Sequence, residues 1–420
     1  MSQPAGARLS DEQLVDWLRL IRSENVGPRT FRQLINRYGG AAAALEALPH
    51  LVAKSLKGRV IRIADRDEAL RELERSRALG VRFLVMTDPD YPPLLGEIDS
   101  APPIIAVRGD AAILRRPAVA IVGARNASAA GIAFAERLAR GLAREDYVVV
   151  SGLARGIDAV AHRASLESGT VAVLDGGHAR PYPSEHAELL EKIAQTGALV
   201  SEMPLEWEPR GRDFPRRNRI VSGLCLGTVV VEAARRSGSL ITARFAGEQG
   251  REVFAVPGSP LDPRAEGTID LLRQGAHLCA RVEDVASVLV ANEKIPAPRD
   301  DLFGEAERPP DEEPLIDELD LFSLREAAAR PLDFAEPPPA DVAPPAALSE
   351  SPPAQAASDR DPRALILSFL GPSPVAVDEL IRIAGLTARE VQGVLTELDL
   401  AGRLERHGGN FVSLSGPARL

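Results

Sequence analysis

The densest concentration of chemistry-bearing side chains in this sequence is Arg210-Gly-Arg212-Asp213-Phe214-Pro215-Arg216-Arg217-Asn218-Arg219, five arginines against one aspartate with no lysine. A solvated charged loop is the ordinary explanation for such a run. The composition favours another. Guanidinium forks suit fixed, bidentate phosphate contacts better than lysine does, and an aromatic among them suits base stacking, worth roughly 1 to 3 kcal/mol per base. Ile220-Val221-Ser-Gly-Leu224 follows directly and anchors the arginine-phenylalanine loop to the core. The pattern predicts a track for single-stranded nucleic acid.

Two further clusters place small residues and an arginine together: Gly123-Ala-Arg125, and Ser151-Gly152-Leu-Ala-Arg155-Gly156. Each ends a short apolar run, Ala118 to Val122 in the first case, and each precedes a helical pattern. Strand, glycine turn and helix repeated twice predict a parallel α/β sheet, whose ligands bind at the carboxyl edge of the strands. Backbone amides there favour an anion, glycine permits close approach, and arginine adds a fork for phosphate.

The elements that must position these residues follow from apolar patterning. Ile132, Ala135, Leu138, Ala139 and Leu142 share one face of a helix over Gly131 to Arg144. Strands are predicted at Thr170 to Leu174, Ala198 to Ser201, Thr228 to Val231, Glu252 to Val256 and from Ala276, with helices at Glu185 to Gln195, Ser239 to Glu248 and Gly267 to Gln274. Val81 to Met86 and Ile104 to Val107, joined by a proline-rich connector, read as an edge addition to that sheet. The α/β domain is placed at 88–290.

Before it, 10–80 reads as a small helical domain, opened by Ser10-Asp11-Glu12 and continued by a helix from Thr30 to Tyr38. The hairpin Asn25-Val26-Gly27-Pro28-Arg29 is similar to helix-hairpin-helix and SAM-like modules, whose turn amides hold a DNA phosphate; a tight turn between packed helices fits it equally. The segment 296–362 holds 14 prolines and 17 acidic residues against 5 arginines, a composition that predicts a disordered, self-repelling linker. Within it, Leu315 to Leu324 alternates acidic and apolar residues, and a solvated linker is preferred there to a docking segment. Over 363–414, three helical patterns and a two-stranded ribbon (403–407 and 410–414) resemble a winged helix. Its presumed recognition helix carries Glu390, Glu397 and Asp399 against Arg389, so protein contact is at least as well supported as base readout.

Bulk composition narrows the function classes. The net charge of −10 belongs to the linker, which carries −12, so the rest of the chain is slightly basic and compatible with nucleic acid. Two cysteines make no disulfide framework, the sequence opens without a signal-like segment, and no apolar run approaches the ~20 residues that span a bilayer, so a cytoplasmic, membrane-free protein is expected. Dispersed histidines give metal little support, and no cofactor is implied. The dinucleotide fingerprint fails at Gly123-Ala-Arg-Asn-Ala-Ser128, and no phosphate loop of the ATP-motor type occurs. Ser151, Asp158 and His162 make an improbable triad, because the last two are one helical turn apart and Ser151 lacks a nucleophile elbow. Asp175-Gly-Gly-His178 reads as a turn that closes a strand.

Six blocks in this order resemble the DNA processing protein A family, DprA or Smf: Ile121-Val-Gly-Ala-Arg125; Ser151-Gly-Leu-Ala-Arg-Gly-Ile-Asp158 with Ala161-His162; Phe214-Pro-Arg-Arg-Asn-Arg-Ile220; Val231-Glu232-Ala233; Ser237-Gly-Ser-Leu-Ile-Thr-Ala-Arg244; and Glu248-Gln-Gly-Arg-Glu-Val-Phe-Ala-Val-Pro-Gly258. The resemblance is close over Asp88 to about Val290, looser over the N-terminal helices, and only one of kind over the winged helix. It implies an extended Rossmann-like domain, without catalytic residues, that binds single-stranded DNA, forms a homodimer and loads RecA onto DNA coated by single-strand-binding protein; in transformable bacteria this protects incoming DNA. Matching positions put one wall of the DNA pocket at Gly123, Arg125, Ser151, Gly152, Arg155 and Gly156. The other wall is Phe214, Arg216, Arg217, Asn218 and Arg219, with Ser237, Ser239, Thr242 and Arg244 nearby. Replacing Arg155 or Arg217 with Glu is then expected to abolish binding while the fold survives. The alternative is a nucleotide-processing enzyme similar to the LOG phosphoribohydrolases, but their glycine loop and its glutamate are missing at Ser237 to Thr242.

Overall fold

The computed structural model describes residues 8–55, 61–291, 361–372, 374–401, 403–407 and 410–414. The expected linker at 296–362 lies, but for its last two residues, outside the described residues.

The chain begins with four helices, α1 (Asp11–Arg22), α2 (Pro28–Tyr38), α3 (Ala41–Ser55) and α4 (Arg66–Ala78). Ser10 and Asp65 cap α1 and α4 through reciprocal bonds with Gln13 and Glu68, which satisfy amides that an open helix end leaves unpaired. Val15, Leu18, Phe31, Leu34 and Leu48 fill the space between the helices. The hairpin before α2 is a packed joint, with Val26, Pro28 and Thr30 buried and the Val26 amide bonded to the Ser23 carbonyl.

A nine-stranded sheet follows, made of β1 (Val81–Val85), β2 (Ile104–Gly109), β3 (Ala118–Val122), β4 (Val148–Ser151), β5 (Thr170–Val173), β6 (Ala198–Ser201), β7 (Gly227–Val230), β8 (Glu252–Ala255) and β9 (His277–Leu278). Interleaved with them are α5 (Pro93–Gly96), α6 (Ala129–Arg144), α7 (Ile157–Ser165), α8 (Ala187–Thr196), α9 (Asp213–Gly223), α10 (Gly238–Glu248), α11 (Glu266–Arg273) and α12 (Val282–Ala291). The spatial order is β1-β2-β6-β5-β4-β3-β7-β8-β9. From β6 to β9 every pairing is parallel, while β1 and β2 add antiparallel at one edge. The sheet therefore starts at Val81, before Asp88. β3 is buried along its whole length, as expected of a strand with helices on both faces. Strand order reverses between β3 and β7, so the carboxyl edge there is the topological switch point where such sheets take ligands.

The C-terminal unit comprises α13 (Pro362–Phe369), β10 (Val375–Ala376), α14 (Val377–Ala384), α15 (Ala388–Leu400), β11 (Leu404–His407) and β12 (Phe411–Leu414). Its ribbon gains a third strand, β10, beside β12. This is a winged helix. It rests on the α/β domain through Arg264, whose Nη1 and Nη2 donate to the Ser368 and Leu370 carbonyls at 3.2 Å each, and through an Arg382–Glu136 pair at 3.1 Å. Ala129, fully buried at the start of α6, packs into the winged-helix core. At the other end, Arg22 of α1 pairs with Glu72 and donates to the Glu202 carbonyl at 2.9 Å, tying the helical domain to the loop after β6.

Candidate nucleic-acid interface

The loops that follow β3, β4, β5, β6 and β7 all leave the same carboxyl edge, and the predicted site residues fall on them or on the helices they start. How these residues meet one another differs from the sequence reading in two respects; a third concerns a triad that the sequence reading already sets aside.

First, the arginine-rich run is largely a helix. Asp213 opens α9, accepts the Arg210 amide and the Trp207 indole N–H at 2.8 Å each, and Pro215 fits the first turn, where no intrahelical amide is needed. Helical spacing sends Arg217, Ile220, Val221 and Leu224 inward. Arg217 makes a bidentate pair with Asp175 at 2.7 and 3.0 Å, both side chains being about 5 % exposed. Arg219 is fully buried and pairs with Glu202, which also accepts Arg216 Nε at 3.0 Å. Burial pushes Glu202 up, but the Arg216 and Arg219 guanidiniums outweigh it and hold the carboxyl below its ordinary range. Of the five arginines, Arg210 and Arg212 are exposed and Arg216 half-buried. Arg217 and Arg219 are structural ion pairs, so survival of the fold in Arg217→Glu is not supported.

Second, the chain's own carboxylates take the anion positions at two turns. Asp158 of α7 accepts the Gly152 amide at 3.1 Å and the Ala154 amide at 3.4 Å. Glu232, after β7, accepts the Ser128 amide at 2.9 Å and the Ser128 hydroxyl at 2.5 Å, just where α6 begins. Burial pushes Asp158 up, against the pull of Arg217 and the two amides, and pushes Glu232 up against its bonds from Ser128. The glycines serve packing. A Cβ on Gly152 would fall 1.3 Å from Arg217 Nη1, one on Gly123 would meet Ile157 at 2.7 Å, and Gly156 has φ +77° with the Ala124 carbonyl where a Cβ would stand. The Gly152 amide is therefore not available to a phosphate.

Third, Ser151, Asp158 and His162 form no relay. The Ser151 hydroxyl donates to the Ile121 carbonyl at 2.6 Å, and His162 Nδ1 meets the Thr170 hydroxyl at 2.9 Å. Burial, reinforced by Arg217, pushes the His162 ring down to about 3. Asp175 and His178 lie in the turn that closes β5, as read, and each is also a buried anchor: Asp175 for Arg217, and His178 through Nε2 to the Ala106 carbonyl at 3.0 Å.

What faces solvent is a rim of cations around two aromatic rings. Arg125 is exposed and lies over Phe214 with its guanidinium carbon 5.1 Å from the ring centre. Tyr182, in the loop after β5, meets Phe214 edge to face at 5.8 Å. Arg155 is 65 % exposed and only 3.6 Å from Glu185, a surface pair worth little. Arg180 faces Glu206 at 3.4 Å, and Arg210 lies over the Trp207 ring at 4.8 Å. Toward α10, Asn218 donates to the Gly238 carbonyl at 3.3 Å, and Ser237 caps the helix and bonds Ser239 at 2.6 Å. Ser239 and Thr242 are buried, while Arg244 is exposed beside Glu248 at 3.8 Å. Sequence reasoning missed Arg180 and Tyr182. Their available signal was position, since both follow a strand that ends at the same edge.

Among the described residues no group of His, Cys, Asp and Glu is placed to hold a metal ion, and no helix is long and apolar enough to cross a membrane. The architecture has three parts: a small helical domain, a Rossmann-like sheet and a winged helix. Residues 82–290 match the family model described as DNA recombination-mediator protein A, 11–74 that of the DprA-like N-terminal HHH domain, and 350–410 that of the DprA winged helix domain. The chain is 42% identical over 218 residues to the DNA processing protein DprA of Bacillus subtilis, covering 51% of this chain and 73% of that one. It is 37% identical over 327 residues to protein Smf of Escherichia coli, covering 77% and 75% respectively. The solved DprA of Streptococcus pneumoniae superposes with a TM-score of 0.52 at 33% identity, over 66% of this chain and 93% of that one. The chain belongs to the DNA processing protein A (DprA/Smf) family. The LOG-type alternative is not favoured.

Proposed function

We propose that this protein is a single-stranded DNA-binding recombination mediator, acting without catalysis, that loads RecA onto strands covered by single-strand-binding protein. The observation that carries the proposal is the contrast between the two levels of the carboxyl edge. Asp158 and Glu232 fill the inner turns, where a dinucleotide would put its phosphates, so a small phosphate ligand would have to displace a carboxylate. The outer rim, with Arg125, Arg155, Arg180, Arg210 and Arg212 exposed around Phe214 and Tyr182, suits a polymer of phosphates with stackable bases. Within the predicted set, Gly123, Arg125, Arg155, Gly156, Phe214, Arg216, Asn218, Ser237 and Arg244 keep surface to offer DNA. Ser151, Gly152, Arg217, Arg219, Ser239 and Thr242 are buried and support the wall. Membership of a family named for recombination mediation supports the RecA step, and the homodimer is carried with it from the family resemblance.

The test is binding of labelled oligothymidylate and of duplex by the full chain across a salt series. Five phosphate contacts give a log–log salt slope of about −3.5, at about 0.7 per contact for single strands. Arg155→Glu should lower affinity with an unchanged melting temperature. RecA filament growth on strands coated with single-strand-binding protein, with and without the chain, reads the loading step, and sedimentation reads the dimer. Equal affinity for duplex and single strands would refute the proposal.

A further inference from the structure

Tyr182 is 47 % exposed, and among the described residues it and Phe411 of the winged helix are the two exposed aromatic rings. An exposed aromatic ring offers a flat apolar surface on which a base can stack. Phe214, the aromatic that the sequence singles out, is the more sheltered of the pair. Arg125 lies across its ring at 5.1 Å, and Tyr182 meets it with the ring planes 72° apart at 5.8 Å. On the face that Arg125 covers, a base would have to displace the guanidinium to stack on Phe214, whereas Tyr182 is the more exposed of the two rings. The edge-to-face contact restrains the tyrosine ring, so little rotational freedom remains to be lost on stacking. Arg180 stands two residues before it and is half exposed, and Arg155 and Glu185 meet beside the same loop.

We propose that Tyr182 is the base-stacking side chain of this interface, with Phe214 as its buttress and Arg125 as the clamp that holds Phe214. The ligand at this position is one unpaired base of a single strand, flanked by phosphates on Arg180 and Arg155. The inference rests on the DNA-binding function proposed above and adds a selectivity element to it. A base within a duplex is stacked on both faces and cannot reach the ring, so Tyr182 contributes to single-strand affinity alone.

The test uses the full chain with oligothymidylate, the same oligonucleotide carrying abasic sites, and a duplex. Tyr182→Ala is expected to weaken oligothymidylate binding about 5- to 150-fold, the ~1–3 kcal/mol of one base stacked on an aromatic ring, with the salt slope unchanged because no phosphate contact is lost. Tyr182→Phe restores the affinity. On the abasic strand the wild type falls to the level of Tyr182→Ala, and the substitution has no further effect. Duplex binding is equal for wild type and variant. If Tyr182→Ala binds oligothymidylate as the wild type does while Arg155→Glu does not, the tyrosine is not the platform and the inference is overturned with the DNA-binding proposal intact. If the wild type fails to bind oligothymidylate, both fall.

Discussion

Removing the guanidinium of Arg217 tests whether this arginine belongs to the fold or to the ligand. It makes two hydrogen bonds to Asp175, at 2.7 and 3.0 Å, with both side chains about 95 % buried, and its charge also attracts Asp158. Arg217→Met keeps most of the volume but leaves Asp175 as an uncompensated buried carboxylate, an effect that costs about 3–5 kcal/mol. Burial already pushes Asp175 up against the pull of Arg217, so in the variant its folded-state pKa rises further. A carboxyl raised in this way loses stability as pH rises through the raised value, so the deficit should be large at pH 7.5 and smaller at pH 5. Adding Asp175→Asn should recover most of the loss, because no charge is then left alone. Arg217→Glu is worse than Arg217→Met, since it sets another carboxylate beside Asp175 and Asp158. Urea denaturation followed by far-ultraviolet circular dichroism, at both pH values, measures all of this. If Arg217→Met lies within about 0.5 kcal/mol of the wild type and loses only single-strand affinity, the buried-pair reasoning is wrong and Arg217 is a ligand residue.

Two other perturbations follow from the same packing. Gly152→Ala would set a methyl 1.3 Å from Arg217 Nη1, and because Asp175 pins that guanidinium the side chain cannot simply swing away; a loss of about 1–3 kcal/mol in urea is expected, shrinking in an Arg217→Met background. A loss undiminished by Arg217→Met would point to a different clash. Burial holds His162 at about 3 and His178 at about 4, so between those values and about 6.5 only the unfolded chain takes up these protons. Their contribution is complete above pH 6.5 and is lost as pH falls, by about 2 kcal/mol per histidine at pH 5. Asp158, Asp175 and Glu232, raised by burial, titrate with the opposite sign, so the informative measurement is the difference between wild type and His178→Gln. The variant should have a shallower decline in stability between pH 6.5 and 4, and parallel curves would exclude His178 as a source of the acid sensitivity.

The sequence alone determined the sheet, the helices beside it and the winged helix. These elements are written in local patterns: apolar runs such as Ala118 to Val122, the helical spacing of Ile132 to Leu142, and capping residues such as Ser10 and Thr387. It also put Gly123, Gly152 and Gly156 at strand ends, because backbone crowding demands glycine whether or not a ligand is present. The helical nature of α9 was legible in principle from the spacing of Arg217, Ile220, Val221 and Leu224, but one position of that inward face is an arginine, which reads as solvent-facing until its partner is known.

Only the tertiary structure supplied the partners. Asp175 lies 42 residues from Arg217 and Glu232 lies 104 residues from Ser128, and no local rule links such pairs. The chain brings these carboxylates to the carboxyl edge through crossovers of the parallel sheet, so a charge that sequence reading offers to a ligand can be spent inside the protein. The same long-range packing exposes Tyr182 and shelters Phe214. Residue type set which side chains could offer a charge or a ring to a ligand; burial and pairing decided which of them keep that surface.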